Sequence, residues 1–294
     1  MNAPNTPAVS NRLSDLAPGI VAAASFSLTD TFAKVALNNG ADVLTLSTFR
    51  SVVVLSFMVV WFRLTGKPPA PATPRQRWIA LGVGLLFCGI VFGLYKAIQY
   101  LPVPIAILSY FVYPLATGLI GAILGIDKVG WRGIAAAAVA FFGLALTVGA
   151  EPGGIVLVGL ALAGMAACCR VGILLVSRAF LQDIDARLTT WYSFVATSVV
   201  FSAFSLATWN WHAPQNAWGW TAFAIVTVAT FTAVWTLFVS ISRIGPFRSA
   251  LIMNLEPLLA TIISVPLLGE VLTPLQALGG AIMLGALVTF QLRR

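Results

Sequence analysis

Charge is what this 294-residue sequence has least of. Asp, Glu, Lys and Arg together make up 9% of it, against about 25% in a soluble globular protein. So few ionic groups cannot clothe a water-facing surface, which excludes an ordinary soluble domain. Histidine occurs once, at His212, so paired-histidine chemistry is absent. There is no H-E-x-x-H, no G-x-S-x-G and no G-x-x-x-x-G-K-[ST]. Those absences exclude the zinc-protease helix, the hydrolase nucleophile elbow and ATP hydrolysis on a P-loop. No filter-like segment suggests a channel. Cysteine is sparse too: Cys88, Cys168 and Cys169 lie within apolar runs and suggest neither a disulfide scaffold nor a metal site. No enzyme constellation, cofactor or metal is expected.

Apolar residues are what the chain has instead, at 59%. Long apolar stretches recur from residue 18 to residue 292, and several reach the roughly 20 residues that cross a hydrocarbon core. The expected fold class is an all-α integral membrane protein. Spans are predicted at 18–38, 43–62, 78–95, 103–125, 130–149, 155–178, 188–208, 217–241, 246–268 and 275–292. GKPPAPATPRQR (66–77) holds four prolines and reads as a true loop, as does NWHAPQNA (210–217). Tight turns are expected near Asp127, Glu151, Gly245 and Glu270. Residues 1–17 are polar, with Pro4, Pro7 and Arg12, and read as a short tail with no signal-peptide pattern.

The formal charge of +8 could suggest a nucleic-acid partner, but its distribution does not. With the amino terminus in the cytoplasm, the inner side collects Arg12, Arg63, Lys67, Arg75, Arg77, Lys128, Arg132, Arg178, Arg187, Arg243, Arg248, Arg293 and Arg294, thirteen of the seventeen basic residues. The outer loops receive at most Lys96. This is the positive-inside asymmetry, and it predicts an inner-membrane protein with both termini cytoplasmic.

The chain also repeats itself. In YPLATGLIGAILGIDKVG (113–130) and EPLLATIISVPLLGEVLT (256–273), a proline opens an apolar half-helix and an acid follows thirteen residues later. The pairs are Pro114 with Asp127 and Pro257 with Glu270, at an offset of 143 residues. YLPVPIA (100–106) falls opposite RIGPFRS (243–249) at the same offset. Five spans per half is an odd number, so the second half is inverted relative to the first. The division is a tail (1–17), a first repeat (18–149) and an inverted second repeat (150–294). Inverted repeats with proline-broken helices are common in secondary transporters, which bind their solute near the midplane between repeats.

The ten-span pattern, the repeats and the ending Pro257, Gly269-Glu270, Leu272, Gln276, Gly279 together resemble the EamA family of the drug/metabolite transporter superfamily. The resemblance covers residues 18–292 and is best in the final repeat. The first repeat departs from it, with Asp127 for glutamate and Ile126 for glycine. The resemblance implies a carrier of small metabolites, nearest to the branch that exports amino acids. Another small solute, such as a nucleobase, polyamine, sugar derivative or cationic drug, is the alternative. A membrane-embedded enzyme or an assembly protein is the alternative outside transport. Monomer and homodimer both remain open, and the lipid bilayer is the only other partner expected.

Ionisable groups inside spans are costly and mark candidate function. Asp30 and Lys34 are four apart on one helical face, readable as a local ion pair or as cavity groups. Arg50 has three readings: snorkelling to the outer headgroups, burial against Asp30, or holding a substrate carboxylate. Arg170 sits near a span centre, where snorkelling is harder, and Glu256 stands between Asn254 and Pro257. These six (Asp30, Lys34, Arg50, Arg170, Asn254 and Glu256) are the substrate-binding or proton-coupling candidates. Tyr95, Tyr110, Tyr113, Trp191, Tyr192 and Trp235 are the cavity aromatics, while Trp209, Trp211, Trp218 and Trp220 read as an interfacial belt. Pro114, Pro257, Asp127 and Glu270 are assigned hinge or structural roles. Small-residue runs such as AAAAVAFFG (135–143) and GGAIMLG (279–285) predict close helix approach.

Overall fold

A computed structural model describes residues 13–65, 72–123, 131–149, 156–181, 185–209 and 211–292. Their regular elements are α1 (Leu13–Asn38), α2 (Val43–Thr65), α3 (Pro74–Tyr100), α4 (Val103–Tyr110), α5 (Tyr113–Ile123), α6 (Trp131–Gly149), α7 (Leu157–Phe180), α8 (Ala186–Thr208), α9 (Ala217–Met253), α10 (Leu255–Leu268) and α11 (Pro274–Leu292). The molecule is an all-α, multi-pass membrane protein.

The expectation of ten full spans needs correction. Among the described residues, six helices are long and apolar enough to cross a bilayer: Asp15–Asn38, Val43–Leu64, Pro74–Tyr100, Leu157–Ser177, Arg187–Thr208 and Ala217–Leu237. Val103–Thr117, Ala138–Thr147, Leu255–Leu268 and Pro274–Ala286 are shorter apolar segments. Proline explains two of the shortfalls. It has no N–H to give the carbonyl four residues back. Pro114 therefore leaves the carbonyl of Tyr110 unpaired along the helix, and α4 stops at Tyr110. Pro257 does the same to Met253, where α9 stops. The turns expected near Asp127 and Glu151 lie outside the described residues.

A second correction concerns Gly245. No separate turn divides the spans there, because α9 stays helical for 37 residues, through Gly245 and Pro246. It is not straight, however. A β-carbon placed on Gly19 would lie 2.9 Å from Ser240 Oγ and 3.0 Å from Ile252 Cδ1. Twelve residues of straight helix would separate those two positions by about 18 Å. The chain bends back between them, and the reversal is absorbed within helical backbone.

Caps fix the other ends. Thr73 and Gln76 form a reciprocal capping box ahead of Pro74, and Thr273 and Gln276 repeat it ahead of Pro274, with Thr273 N donating to Gln276 Oε1 at 2.8 Å. The glutamine of the family ending thus has a physical task, starting α11. At the other end of α10, Gly269 adopts a left-handed φ of 67° and terminates the helix.

The packing shows the inversion directly. The turn after α1 is stitched to the loop before α9: Gln215 N donates to Asn39 O at 2.9 Å, Asn216 Nδ2 to Asn39 Oδ1 at 2.7 Å, and Asp42 N to His212 O at 3.2 Å. The first-half counterpart of that loop is the 66–73 segment, at the far end of α2. The two halves can share this face only if one is upside down relative to the other. At the opposite face, the Arg75 guanidinium lies 5.9 Å from the Phe180 ring, bringing the start of α3 to the end of α7. Helix pairings obey the same two-fold exchange, with α1 against α9 answered by α7 against α3, and α6 against α11 answering itself. The α6–α11 seam is tight, since a β-carbon on either Gly143 or Gly279 would come within 2.6 Å of the other's carbonyl oxygen.

Candidate functional site

Where the broken helices meet α1, α2, α3 and α7, the interior is charged. Arg50 of α2 is 4% exposed, so the snorkelling reading is corrected. Its Nη1 donates to Tyr95 Oη at 3.1 Å and to Thr230 Oγ1 at 3.4 Å, and its guanidinium carbon lies 5.3 Å from the Tyr95 ring centroid. Partners on α3 and α9 hold the cation at depth, where a snorkelling arginine would have none. Asp30 is also buried, and Arg50 is its main electrostatic neighbour.

On the second half's side, Glu256 is buried in the first turn of α10. It lies within electrostatic reach of both Asp30 and Arg170. Arg170 of α7 stands with its guanidinium carbon 5.4 Å from the Tyr113 ring and also feels Tyr110 and Glu256. Tyr110, Phe111 and Tyr113 form a mutually touching cluster, with ring centroids 5.1–5.7 Å apart. The charges therefore run cation, anion, anion, cation: Arg50, Asp30, Glu256, Arg170.

This quartet is not saturated. Asp30 Oδ2, Arg50 Nε and Arg170 Nε are buried atoms without a hydrogen-bond partner. Buried polar atoms are nearly always satisfied, so each is a place where a ligand or water gains a bond. Two acids side by side also repel strongly away from water. A positive group placed between them relieves that repulsion, and either flanking guanidinium can then receive a negative group.

The repeat accounts for how the two broken helices are held. Ser27 Oγ of α1 donates to the carbonyl of Glu256 at 2.8 Å. Arg170 of α7 meets Tyr113. Ser27 and Arg170 are 143 positions apart, and so are Tyr113 and Glu256. One contact is the image of the other under the sequence offset.

The remaining candidates lie elsewhere. Lys34 turns away from Asp30 and bonds Glu270 Oε1 at 2.8 Å, so the local pair with Asp30 is not formed. Trp191 packs edge-on against Phe62, and Trp235 packs against Trp61 and Phe231, in an aromatic group nearer the opposite face. That group borders a cavity of about 40 Å³ between α2, α8 and α9, which starts at Val54, one helical turn from Arg50. Tyr192 is half-buried on α8. Asn254 is buried at the α9–α10 break, Pro257 is buried just after it, and Pro114 is half-buried at the start of α5. Asp127 lies outside the described residues. Sequence reasoning missed Thr230 and Ser27. Hydroxyls are frequent on membrane helices, where most bond their own backbone, as Thr227 and Thr232 do here, so neither stood out.

This architecture, an inverted pair of broken-helix repeats around an incompletely bonded polar centre, defines a secondary transporter. Residues 16–149 and 157–291 each match the EamA-like transporter family, and the chain belongs to that family. It is a carrier of small metabolites and not an enzyme. Among curated relatives, the threonine/homoserine exporter RhtA of Escherichia coli K12 is 28% identical over 219 residues, 73% of this chain and 70% of that protein. An uncharacterized transporter of Synechocystis is 26% identical over 211 residues, 69% of this chain and 63% of its own length. A crystal structure 18% identical in sequence superposes with a TM-score of 0.67, covering 94% of this chain and 96% of that one, which establishes the shared fold.

Proposed function

We propose that this protein exports a small zwitterionic amino acid across the cytoplasmic membrane by alternating access. The observation that carries the reading is the Arg50–Asp30–Glu256–Arg170 series with its unsatisfied buried atoms. The substrate ammonium sits between Asp30 and Glu256, and its carboxylate takes the open Nε of Arg50 or Arg170. Tyr95, Tyr110 and Tyr113 bound the side-chain pocket. A purely cationic solute would have no use for two buried guanidiniums, which argues against a polyamine or cationic drug. The likeness to a threonine/homoserine exporter supports a small amino acid over a nucleobase or sugar derivative.

The mechanism follows from the acid pair. A proton relieves the Asp30–Glu256 repulsion as an ammonium does, so proton and substrate compete for one place. That competition is what antiport requires: one leaves as the other enters. The fold in the bilayer is read as ten segments, six full spans and four shorter ones, with both termini cytoplasmic.

The test is counterflow in proteoliposomes of the purified protein, with labelled threonine, methionine, phenylalanine and tryptophan, with and without a pH gradient. Accumulation above empty liposomes, driven further by an opposing proton gradient, is the expected result. If none of the four moves through folded protein, the amino-acid assignment fails while the family and fold stand.

A further inference from the structure

The cavity between α2, α8 and α9 lies beside the polar centre and has a charged wall of its own. Its α2 side runs from Val54 to Met58, and its α9 side from Phe231 to Trp235. Val54 is one turn along α2 from Arg50, and Phe231 follows Thr230, the hydroxyl that receives Arg50 Nη1. The α8 side runs from Phe194 back to Arg187, the second residue of that helix. The cavity therefore begins beside one guanidinium and ends at another, at the face where α8 starts. Its volume of about 40 Å³ is room for about three waters and too little for an amino acid to pass. The rings of Phe194 and Phe231 line it from two helices and narrow it.

Arg187 is an odd choice for its position. The start of a helix carries partial positive charge and favours acids, so an arginine in the first turn is unfavourable there. Asp185 offsets this. Its Oδ1 accepts from the Arg187 backbone N–H at 2.9 Å, and its Oδ2 accepts from Nη2 at 2.6 Å and from Nε at 3.0 Å. Capping alone needs only the carboxylate. The positive-inside asymmetry needs a cation near the membrane edge, but not one that lines an interior cavity. The Arg187 side chain is 41% exposed, so its fork can be reached by a second carboxylate of the same geometry. At the inner end, Arg50 is buried and its Nε has no hydrogen-bond partner.

We propose that Arg187 is a peripheral binding subsite for a carboxylate, at the mouth of a passage along α2, α8 and α9 that leads to Arg50. A carboxylate arriving at the face where α8 starts, read as cytoplasmic, displaces Asp185 from the guanidinium. One ion pair is exchanged for another of the same kind, so capture is loose and reversible. Asp185 Oδ1 keeps the backbone N–H and still caps α8. When the three helices part, the carboxylate moves past Phe194 and Phe231 to the open Nε of Arg50. A cation on this route meets a guanidinium at each end, so the passage itself selects for negative charge. The inference rests on the alternating-access reading but not on the choice of amino acid.

The experiment is thiol labelling of purified protein in lipid nanodiscs, with the three native cysteines replaced by alanine and Val54→Cys as reporter at the inner end of the cavity. Two methanethiosulfonates of similar size are compared at low salt, one bearing a sulfonate and the other a trimethylammonium group. The ratio of their rates reads the charge along the route, and Arg50 contributes equally in every variant. Arg187→Gln should lower the anion-to-cation ratio on the order of tenfold, the scale of local electrostatic steering. Asp185→Asn should raise it, because asparagine still caps the helix while the guanidinium loses its competing carboxylate. Both shifts should fade at high salt. No reaction with either reagent would overturn the passage, and an unchanged ratio in Arg187→Gln would overturn the subsite. Shifts in the same direction in both variants would overturn it too, since they report a disturbed start of α8. No amino acid enters the measurement, so a failed substrate assignment leaves its outcome intact.

Discussion

The two proline-broken helices share a backbone and differ in chemistry. In the first half, α4 stops at Tyr110, and Tyr113-Pro114 opens α5; in the second, α9 stops at Met253, and Glu256-Pro257 falls in the first turn of α10. Each break sits four residues before its proline, because that carbonyl is the one the missing N–H would have served. Yet the residue ahead of the proline is an aromatic in one half and an acid in the other. A guanidinium lies over the first, and a serine hydroxyl holds the backbone of the second. Duplication preserved the mechanical device, while the side chains diverged into one asymmetric site. A single amino acid, with unlike ends, fits such a site better than a symmetric solute would.

Five substitutions break or sharpen that comparison. The largest effect is expected at Arg170, which faces Tyr113 and Glu256 together. Arg170→Met leaves the acid pair with one fewer cation, and losing one member of a buried charge set costs about 3–5 kcal/mol. Transport should vanish, and the thermal midpoint of the detergent-extracted protein should drop; an unchanged midpoint would separate Arg170 from Glu256. Glu256→Gln comes next. It keeps shape and removes charge, so the amount of protein in the membrane should hold while transport falls at least tenfold, the result of losing about 2 kcal/mol of charge-assisted binding. Equal rates at saturating and limiting substrate would remove Glu256 from the site.

Pro114→Ala and Pro257→Ala test the shared device. Each restores a hydrogen-bond donor worth about 1 kcal/mol to a helix that is now interrupted. Both variants should be as stable as the parent or more so and should transport several-fold more slowly, by similar factors. A loss at one proline alone would show that the two breaks are not mechanical equivalents. Tyr113→Phe is the mildest change. The ring that faces Arg170 stays and only the hydroxyl goes, so transport should change by less than about threefold, the scale of an exposed-to-buried cation–π adjustment of under 1 kcal/mol. A larger loss would assign the hydroxyl itself to substrate.

Much of this was legible in the residues. The hydropathy runs, the prolines at 114 and 257 and the 143-residue offset give the all-α membrane class, the weak points of two helices and the inversion, because each depends on local chemistry or on simple counting. The ten full spans expected became six among the described residues, with four shorter segments. The offset proved good enough to map the Ser27–Glu256 contact onto Arg170–Tyr113. Gly245-Pro246 was less legible, since a dipeptide that usually marks a turn is here carried through as bent helix. The charged residues were visible as costly, but their partners were not. Lys34 stands four residues from Asp30 and yet reaches across 236 positions to Glu270. Thr230 gives no sign in the sequence that it will receive Arg50.

The residues alone place this protein in a membrane, mark Pro114 and Pro257 as corresponding weak points of two helices, and imply that the second half is an inverted copy of the first. Those properties follow from transfer free energy, the missing proline donor and an odd number of spans. Only the tertiary structure decided which charges meet: Arg50 with Tyr95 and Thr230, Asp30 between Arg50 and Glu256, Lys34 with Glu270. A buried charge takes whichever complementary group the packing brings within a few ångströms, and distance along the chain has no bearing on that choice.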